Sequence, residues 1–330
     1  MAYKPPYEIT SKMIDYISKI MKLIGQLTSS SGLDNKPRLR RTNRIHSVYS
    51  SLAIENNKLT KNQVRDVLNG KIVIGPKRDI LEAKNAIRCY DDILTINPYE
   101  SKDLLKYHGI MMESLIDDAG SYRLKQEGVF DGDKVIFIAP PHDRVPELIS
   151  NLYDYLNNIK ENILIKSSVF HYEFEFIHPF SDGNGRMGRL FQTCLLASEE
   201  EIFAYLPVES IIKERQQEYY DAIAICHKQG NSNVFIEFML DAILETITRT
   251  INQSNLESIG YSIQVKKLLS VMDMEIPYTA LELMELCGLK SRASFKNNYI
   301  DPALESGLIQ MTIPDKPKSR NQRYIKTVNY

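Results

Sequence analysis

The sequence predicts a mostly α-helical protein that carries one small β-hairpin and ends in a separate module. Apolar residues recur at helical spacing in residues 14–24 and again in residues 80–94. The dipeptide Asp131-Gly132 separates two short runs of β-forming residues, 128–130 and 134–138, and it suits a two-residue hairpin turn. Together these features favour a helical fold that a single hairpin interrupts.

The chain divides into three predicted parts, because 330 residues exceed what one hydrophobic core usually organises. Residues 1–78 form an N-terminal helical region, and residues 79–255 form the central core. A long helix with an apolar pattern gives way to polar residues near 253–260, so the third part covers residues 256–330. This C-terminal module shows three helical segments followed by two short strands.

The composition is that of an ordinary folded protein, with 43% hydrophobic and 25% charged residues. A net charge of -1 excludes a strongly basic chain that coats nucleic acid. No apolar run approaches the roughly 18 residues that span a bilayer, and the first ten residues lack the features of a signal peptide. We therefore expect a cytoplasmic protein that does not engage a membrane. Four widely separated cysteines indicate buried thiols rather than disulfides or a zinc site.

The run of residues 178–190, His-Pro-Phe-Ser-Asp-Gly-Asn-Gly-Arg-Met-Gly-Arg-Leu, lies between two apolar helical segments. Gly183 and Gly185 let the backbone adopt positive φ and let a ligand approach closely, and successive amides at a helix start bind anions. Arg186 and Arg189 share one face of the first helical turn, where the positive end of the helix disfavours cations. A polyphosphate would satisfy all of these groups, so the run predicts a site for a nucleotide triphosphate.

Two further residues of the run supply what phosphate chemistry needs. Asp182 suits a magnesium ion, which prefers one or two carboxylates together with phosphate oxygens. His178 has an imidazole whose ordinary pKa lies near the working pH, so it can take a proton from an attacking hydroxyl. Each residue by itself is more often a turn, cap or core residue, and only the ordered run favours a functional site.

The run matches the Fic family signature H-P-F-x-D/E-G-N-G-R-x-x-R at every specified position, and similarity to that family extends over residues 82–222. The chain therefore resembles Fic proteins, which transfer AMP from ATP to a Tyr, Thr or Ser hydroxyl of a target protein and release pyrophosphate. The intact Gly-Asn-Gly-Arg sequence favours AMP transfer over the kinase-like Doc branch. The resemblance implies that His178 is the general base and Asp182 the magnesium ligand. The phosphate-binding residues that it implies are Gly183, Asn184, Gly185, Arg186 and Arg189.

The predicted hairpin resembles the flap with which Fic proteins position a target by β-strand addition. Its bordering residues, 120–123 and 139–141, also look like those of the family. The alternative is a hairpin that only covers the core. The predicted docking residues of the flap are Phe130, Val135, Ile136, Phe137 and Ile138.

Residues 51–56, Ser-Leu-Ala-Ile-Glu-Asn, resemble the inhibitory motif that some Fic proteins carry before the catalytic core. Thr60 and Gln63 have the spacing of a capping box that opens a following helix. In this interpretation Ser51 and Glu55 are inhibitory, and Glu55 pairs with Arg189 in the place of the γ-phosphate. The alternative is an ordinary surface glutamate on a helix.

The neighbours Tyr219 and Tyr220 lie where relatives shape the nucleobase pocket, and we expect Tyr220 to pack against adenine, with core packing as the alternative. His108 and His171 fall in apolar helical stretches, which indicates structural roles.

The C-terminal module resembles the winged helix that a subset of Fic proteins carries. Residues 287–330 contain eight basic and three acidic side chains, a net charge of +5 that is compatible with DNA phosphates. Winged helices also bind proteins or dimerise, so DNA, a protein partner and a second copy of the chain all stay open as partners of this module.

Two functional hypotheses follow for the whole chain. The first is a self-inhibited AMP transferase, able to modify itself or an unidentified target. The second is a DNA-binding regulator that uses the core as a nucleotide sensor.

Overall fold

The computed structural model describes residues 3–29, 37–131, 134–258, 261–272, 276–317 and 319–327. The chain forms two compact units, Met1–Ile247 and Thr248–Tyr330. Helices dominate the first unit and a two-stranded sheet interrupts them, so the predicted fold class is confirmed. Among the described residues, no helix is both long and apolar enough to cross a bilayer.

The elements of the chain up to the division between the units are mostly helices. They are α1 (Ser11–Ser29), α2 (Pro37–Ile54), α3 (Lys61–Leu68), α4 (Lys77–Asp91), α5 (Ser101–Met111), β1 (Gly128–Asp131), β2 (Lys134–Ile138), α6 (Val145–Asn158), α7 (Ile163–Ile177), α8 (Asn184–Glu199), α9 (Val208–Glu214), α10 (Gln216–Gln229) and α11 (Asn233–Ser258). Short 3-10 turns, His142–Arg144 and Glu201–Tyr205, precede α6 and follow α8.

The helices α7 and α8 form the centre of the first unit. Buried side chains cover nearly the whole circumference of α7, which explains why its sequence is apolar all round rather than on one stripe. The rings of Phe170 and Phe174 stack with centroids 5.7 Å apart, and Phe170 meets Phe191 of α8 at 6.3 Å. The loop between these two helices is the motif of residues 178–183, so a rigid core holds both of its ends.

The predicted capping box at the start of α3 is present. The Thr60 hydroxyl accepts a hydrogen bond from the Gln63 amide at 3.3 Å, and the Gln63 side chain accepts one from the Thr60 amide at 2.8 Å. Because this box satisfies two amides that the first turn leaves open, α3 begins immediately after the segment that carries Glu55.

The predicted hairpin is confirmed as the antiparallel pair β1–β2. Gly128 faces Ile138 and Val129 faces Phe137, whereas Phe130 faces Val135, so a bulge leaves Ile136 without an opposite residue. The side chains of residues 129–137 and the Gly132 turn position lie outside the described residues. Ile138 is exposed.

The second unit contains the rest of the predicted elements. They are α12 (Ile263–Ser270), α13 (Ala280–Leu286), α14 (Arg292–Phe295) with a following π turn (Lys296–Ile300), α15 (Asp301–Glu305), β3 (Ile309–Met311) and β4 (Tyr324–Lys326). The strands pair antiparallel, with Ile309 facing Lys326. The three predicted helical segments and the two strands are present, but α15, which continues directly from the π turn, was not predicted. The winged-helix interpretation of the unit stays a prediction.

One member of the predicted basic patch is not at the surface. Lys326 is buried, and its ammonium donates to the carbonyls of Leu269 at 2.9 Å and Met272 at 3.1 Å near the end of α12. Lys318 lies outside the described residues, and Lys296 forms an ion pair with Asp301 at 2.9 Å. Counting Lys326 as part of a DNA-binding face was therefore wrong, because a side chain in a core cannot contact phosphates.

Arg123 connects the end of α7 to the segments that border the hairpin. Its side chain is fully buried, and its Nε donates to the His178 carbonyl at 2.7 Å. The other guanidinium nitrogens donate to the carbonyls of Lys125 at 2.8 Å and Pro140 at 2.6 Å. One side chain thus satisfies carbonyls from three separate stretches of backbone.

We predict that Arg123→Met lowers the free energy of unfolding by about 3 kcal/mol or more, because several buried carbonyls lose their donors at once. Chemical denaturation followed by far-ultraviolet circular dichroism measures the change. The matched control is Arg144→Met, since Arg144 is exposed and, within the described part of the chain, its guanidinium makes one long hydrogen bond, to Glu147 at 3.5 Å. An equal, small effect of both substitutions would show that Arg123 does not hold this region together.

Candidate active site

Two left-handed residues bound the loop of the 178–190 motif. His178 ends α7 with φ 50° and ψ 61°, a conformation that is uncommon for any residue other than glycine. Gly183 precedes α8 with φ 87°, and a Cβ there would lie 2.8 Å from the Met112 sulfur. Position 183 therefore requires glycine, both because its φ is positive and because a side chain would collide with Met112.

Buried side chains hold the loop from inside. The Asn184 amide donates to the Phe180 carbonyl at 2.8 Å and accepts from the Phe180 amide at 2.9 Å, so this side chain supports the loop and only its main chain can face an anion. His108 stacks on Phe180 with ring centroids 3.6 Å apart. Its Nδ1 accepts from the Gly120 amide at 2.9 Å, so its Nε2 carries the proton and donates to the Asp182 carbonyl at 3.0 Å. Burial lowers the pKa of His108 to about 4, which keeps the ring neutral in this structural role.

His178 is poised as a proton acceptor. Its side chain is half-buried and lines a cavity of about 350 Å³ at the start of α8. Burial lowers the pKa of His178, and a hydrogen bond to the Glu175 carbonyl opposes that shift. The imidazole is therefore neutral near pH 7 and has a free lone pair for a substrate proton.

Arg189 is the most constrained cation of the site. Its guanidinium is buried and donates to the Ser51 hydroxyl at 3.1 Å, to the Ser51 carbonyl at 3.0 Å and to the Glu55 carboxylate at 2.8 Å. Burial disfavours the charged form, but the surrounding acidic groups, with Glu55 the strongest of them, together raise the pKa of Arg189. The structure thus joins the two residues of the predicted inhibitory motif to one of the predicted phosphate-binding arginines.

The Glu55 carboxylate also lies against the first turn of α8. A Cβ built on Gly185 would come within 2.4 Å of Glu55 Oε1 and 3.0 Å of Arg189 Nη1. Glycine at this position leaves the space in which the carboxylate rests. A negatively charged group therefore already occupies the helix start where an anion would bind.

Asp182 meets two arginines. Its Oδ1 accepts from Arg186 Nη2 at 2.8 Å, and its Oδ2 accepts from Arg78 Nη2 at 3.1 Å. Arg78 comes from α4 and is largely exposed, so it can move aside at little cost. Sequence reasoning missed Arg78, because no motif links α4 to the 178–190 run.

These residues fit a magnesium ion that arrives with a nucleotide. The Nε and Nη1 atoms of Arg186 are buried without hydrogen-bond partners among the described residues, and Nη1 lies 3.7 Å from the Glu82 carboxylate. The buried donors of this side chain can therefore still bind phosphate oxygens. Across the described ranges, no group of three or more His, Cys, Asp or Glu side chains is gathered for a metal. A cation beside Asp182 would thus need phosphate oxygens to complete its shell, which is how magnesium usually binds.

The 350 Å³ cavity continues from the helix start toward α10. Tyr220 lines it and is partly exposed, as expected for a residue that packs against a base. Tyr219 lines it too but is buried, with its hydroxyl 3.0 Å from His171 Nε2, so core packing dominates its role. The lining residues that sequence reasoning missed are Glu175, Ile223, Ala224 and His227.

Glu175 is an unusual carboxyl in this cavity. Burial raises its pKa to about 8, and its Oε1 has no hydrogen-bond partner among the described residues. At pH 7 it is therefore mostly a neutral acid that can both donate and accept a hydrogen bond. An acidic residue in the last turn of an apolar helix was the signal in the sequence that could have found it.

Comparison with known proteins agrees with this geometry. Residues 98–196 match the family model described as Fic/DOC family, and residues 263–327 match that of the Fic-like C-terminal domain. A crystal structure of a Fic family protein from Desulfovibrio desulfuricans G20 is 42% identical, covers 98% of both chains and has a TM-score of 0.73. The chain belongs to the Fic family. The resemblance inferred from the motif is thereby confirmed.

Curated relatives of this Fic protein are named as enzymes. The protein adenylyltransferase Fic of Aedes aegypti is 28% identical over 234 residues, which is 66% of this chain and 44% of that protein. A probable protein adenylyltransferase of Aquifex aeolicus is 32% identical over 145 residues, which is 37% of this chain and 45% of that protein. The chain thus spans less than half the length of these relatives. Fic-1 of C. elegans, at 21% identity and a TM-score of 0.61 over 74% of this chain, shares the fold.

The raised pKa of Glu175 predicts a pH-dependent difference in stability. The folded protein holds a proton on this carboxyl between its ordinary pKa of 4.5 and about 8, whereas the unfolded chain has lost it, so rising pH disfavours folding. We expect Glu175→Gln, which imitates the neutral acid, to gain stability relative to wild type by up to roughly 1.4 kcal/mol per pH unit in that window.

Denaturant titrations of both proteins between about pH 5 and about pH 8 test this, and contributions from the buried histidines cancel in the comparison. Glu173→Gln serves as a second variant, since burial raises the pKa of Glu173 to about 7. Parallel stability curves for wild type and Glu175→Gln would mean that Glu175 is ionised in the folded protein.

Proposed function

We propose that this Fic protein transfers AMP from ATP to a Ser, Thr or Tyr hydroxyl of a protein and that α2 restrains the reaction. The observation that carries the proposal is the convergence of a neutral imidazole, a carboxylate and two buried guanidiniums at the start of α8. The names of the curated relatives support the same reaction. A protein that only sensed nucleotide would not need a base at His178.

In the proposed reaction His178 accepts the proton of the target hydroxyl as its oxygen attacks the α-phosphorus. The bond between the α-phosphorus and the bridging oxygen breaks, and pyrophosphate leaves. Arg186, whose Nε and Nη1 make no hydrogen bond among the described residues, would donate to the phosphates, and the main chain of residues 183–185 would supply donors at the helix start. Asp182 would hold a magnesium ion, which neutralises phosphate charge when it is bound.

Target docking and base recognition belong to the same proposal. The edge of the β1–β2 hairpin would pair with an extended segment of the target, and Ile138, which is exposed, would contact it. Tyr220 and the neutral carboxyl of Glu175 would face the adenine base in the cavity. The competing DNA-binding function stays a prediction, and the burial of Lys326 weakens its charge argument.

The inhibitory part of the proposal rests on competition for Arg189. The Glu55 carboxylate and the Ser51 hydroxyl and carbonyl use the donors that a γ-phosphate would need. Glu55 also lies beside Gly185 at the start of α8. An ATP molecule bound next to it would therefore hold its α-phosphorus in an orientation that does not allow in-line attack. Basal transfer would then be slow.

We predict that Glu55→Gly raises incorporation of label from α-labelled ATP into protein by about tenfold or more, since the lost charged hydrogen bond is worth roughly 1.5 kcal/mol or more. Incubation with magnesium and a cell lysate also reports self-modification. His178→Ala in the same background should abolish the label.

Asn56→Gly is the matched control, because Asn56 adjoins Glu55 and its φ of 63° accepts glycine. It should leave the rate at the wild-type value. Label that persists in His178→Ala would refute the transfer mechanism, whereas equal rates in Glu55→Gly and Asn56→Gly would refute only the inhibitory role.

A further inference from the structure

The two carboxylate oxygens of Asp182 have different partners. Its Oδ1 accepts from the Gly183 amide at 2.6 Å and from Arg186 Nη2 at 2.8 Å. Its Oδ2 accepts one hydrogen bond among the described residues, from Arg78 Nη2 at 3.1 Å. Because the main chain of the loop and a buried arginine already hold Oδ1, Oδ2 is the oxygen that can bind a metal ion.

The two arginines on this carboxylate differ in their freedom to leave it. The Arg186 side chain is 4% exposed, whereas the Arg78 side chain is 57% exposed. A buried guanidinium that left its carboxylate would lose a partner that water does not replace. An exposed ion pair is weak, because water competes for both of its members. Arg78 is therefore the partner of Asp182 that a metal ion can displace.

The first turn of α4, which carries Arg78, is fixed to the segment that follows α2. The Asn57 side chain donates to the Asp79 carbonyl at 3.1 Å. The Lys58 amide donates to the Asp79 carboxylate at 2.7 Å. These contacts place the backbone of Arg78 at the distance from which its side chain reaches the 178–183 loop.

Arg78 also keeps a second partner beside the site. Its Nε donates to Glu82 Oε1 at 3.3 Å, one turn further along α4. Glu82 is buried and accepts from the Asn57 side chain at 2.9 Å through its other oxygen. A guanidinium that leaves Asp182 thus remains close to it, and it returns readily when no metal is bound.

We propose that Arg78 competes with magnesium for Asp182 Oδ2. Without nucleotide the guanidinium neutralises this carboxylate, and it leaves the oxygen when a metal ion arrives together with a nucleotide. A guanidinium and a divalent cation on one carboxylate oxygen repel each other, so the metal binds only as Arg78 is displaced. Magnesium at Asp182 belongs to the proposed function, on which this competition rests.

Calorimetric titrations of the full chain with ADP, in saturating magnesium and in a chelator, test the competition. ADP lacks the γ-phosphate for which Glu55 would compete, and no AMP transfer from it is expected. Magnesium should raise the ADP affinity of wild type by a measurable factor. This factor should be about threefold larger in Arg78→Gln, since no ion pair has to break before the metal binds. The equilibrium between ADP and magnesium in solution is the same for every variant and cancels in the comparison.

Lys77→Gln is the matched control. Lys77 adjoins Arg78 on α4, is exposed and forms no ion pair within the described part of the chain. Its substitution removes the same charge from the same turn without a contact to Asp182, so the factor should keep its wild-type value. Asp182→Asn should reduce the factor to about one, because the metal loses its carboxylate.

The same factor in Arg78→Gln and wild type would overturn the competition, and so would an equal increase in Lys77→Gln. A loss of ADP affinity in Arg78→Gln that is equal with and without magnesium would overturn it too, since Arg78 would then bind phosphate. A factor that persists in Asp182→Asn would contradict both the competition and the proposed metal site, and a wild type that binds no ADP would contradict the nucleotide site as well. None of these titrations requires turnover, so a failure of AMP transfer would refute the proposed reaction and leave the competition intact.

Discussion

The buried guanidinium of Arg189 is the group on which the rest of the site depends. A cation with so little solvent is stable only if neighbouring oxygens replace its water, and here Ser51 and Glu55 supply them. Ser51 lies in α2 and Glu55 directly follows its last residue, so the buried charge of Arg189 on α8 holds α2 in its position. In the proposed function a γ-phosphate would use the same donors, so the docked helix and a bound triphosphate would be alternatives for one cation.

The loop of residues 178–183 is held by contacts that do not involve α2. Two left-handed residues, His178 and Gly183, turn the chain sharply enough to place a base and a helix start on one cavity. Arg123 and Asn184 stabilise the 178–183 loop through hydrogen bonds to the main chain of His178 and Phe180. Since these supports are buried and independent of α2, release of α2 need not deform the catalytic loop.

The sequence predicted the parts of the fold whose cause is local and missed those whose cause is tertiary. A glycine-lined turn, a capping box and the pairing of the two hairpin strands each follow from neighbouring residues, and all three were placed correctly. The apolar stripe predicted in residues 14–24 was only partly right. Ile20 and Ile24 are buried, but Ile14 and Met21 are exposed. Met13, which was not part of the predicted stripe, is buried as well. Arg78, Glu175 and the burial of Lys326 depend on contacts between distant segments, which spacing alone does not reveal.

The central claim is that Glu55 and a γ-phosphate compete for Arg189. Calorimetric titration of ATP and of ADP, in a His178→Ala background that prevents turnover, isolates the contribution of the γ-phosphate with and without Glu55. The account predicts that the two nucleotides bind about equally well when Glu55 is present and that ATP gains about tenfold over ADP in Glu55→Gly. The same ratio of ATP to ADP affinity in both proteins would contradict it.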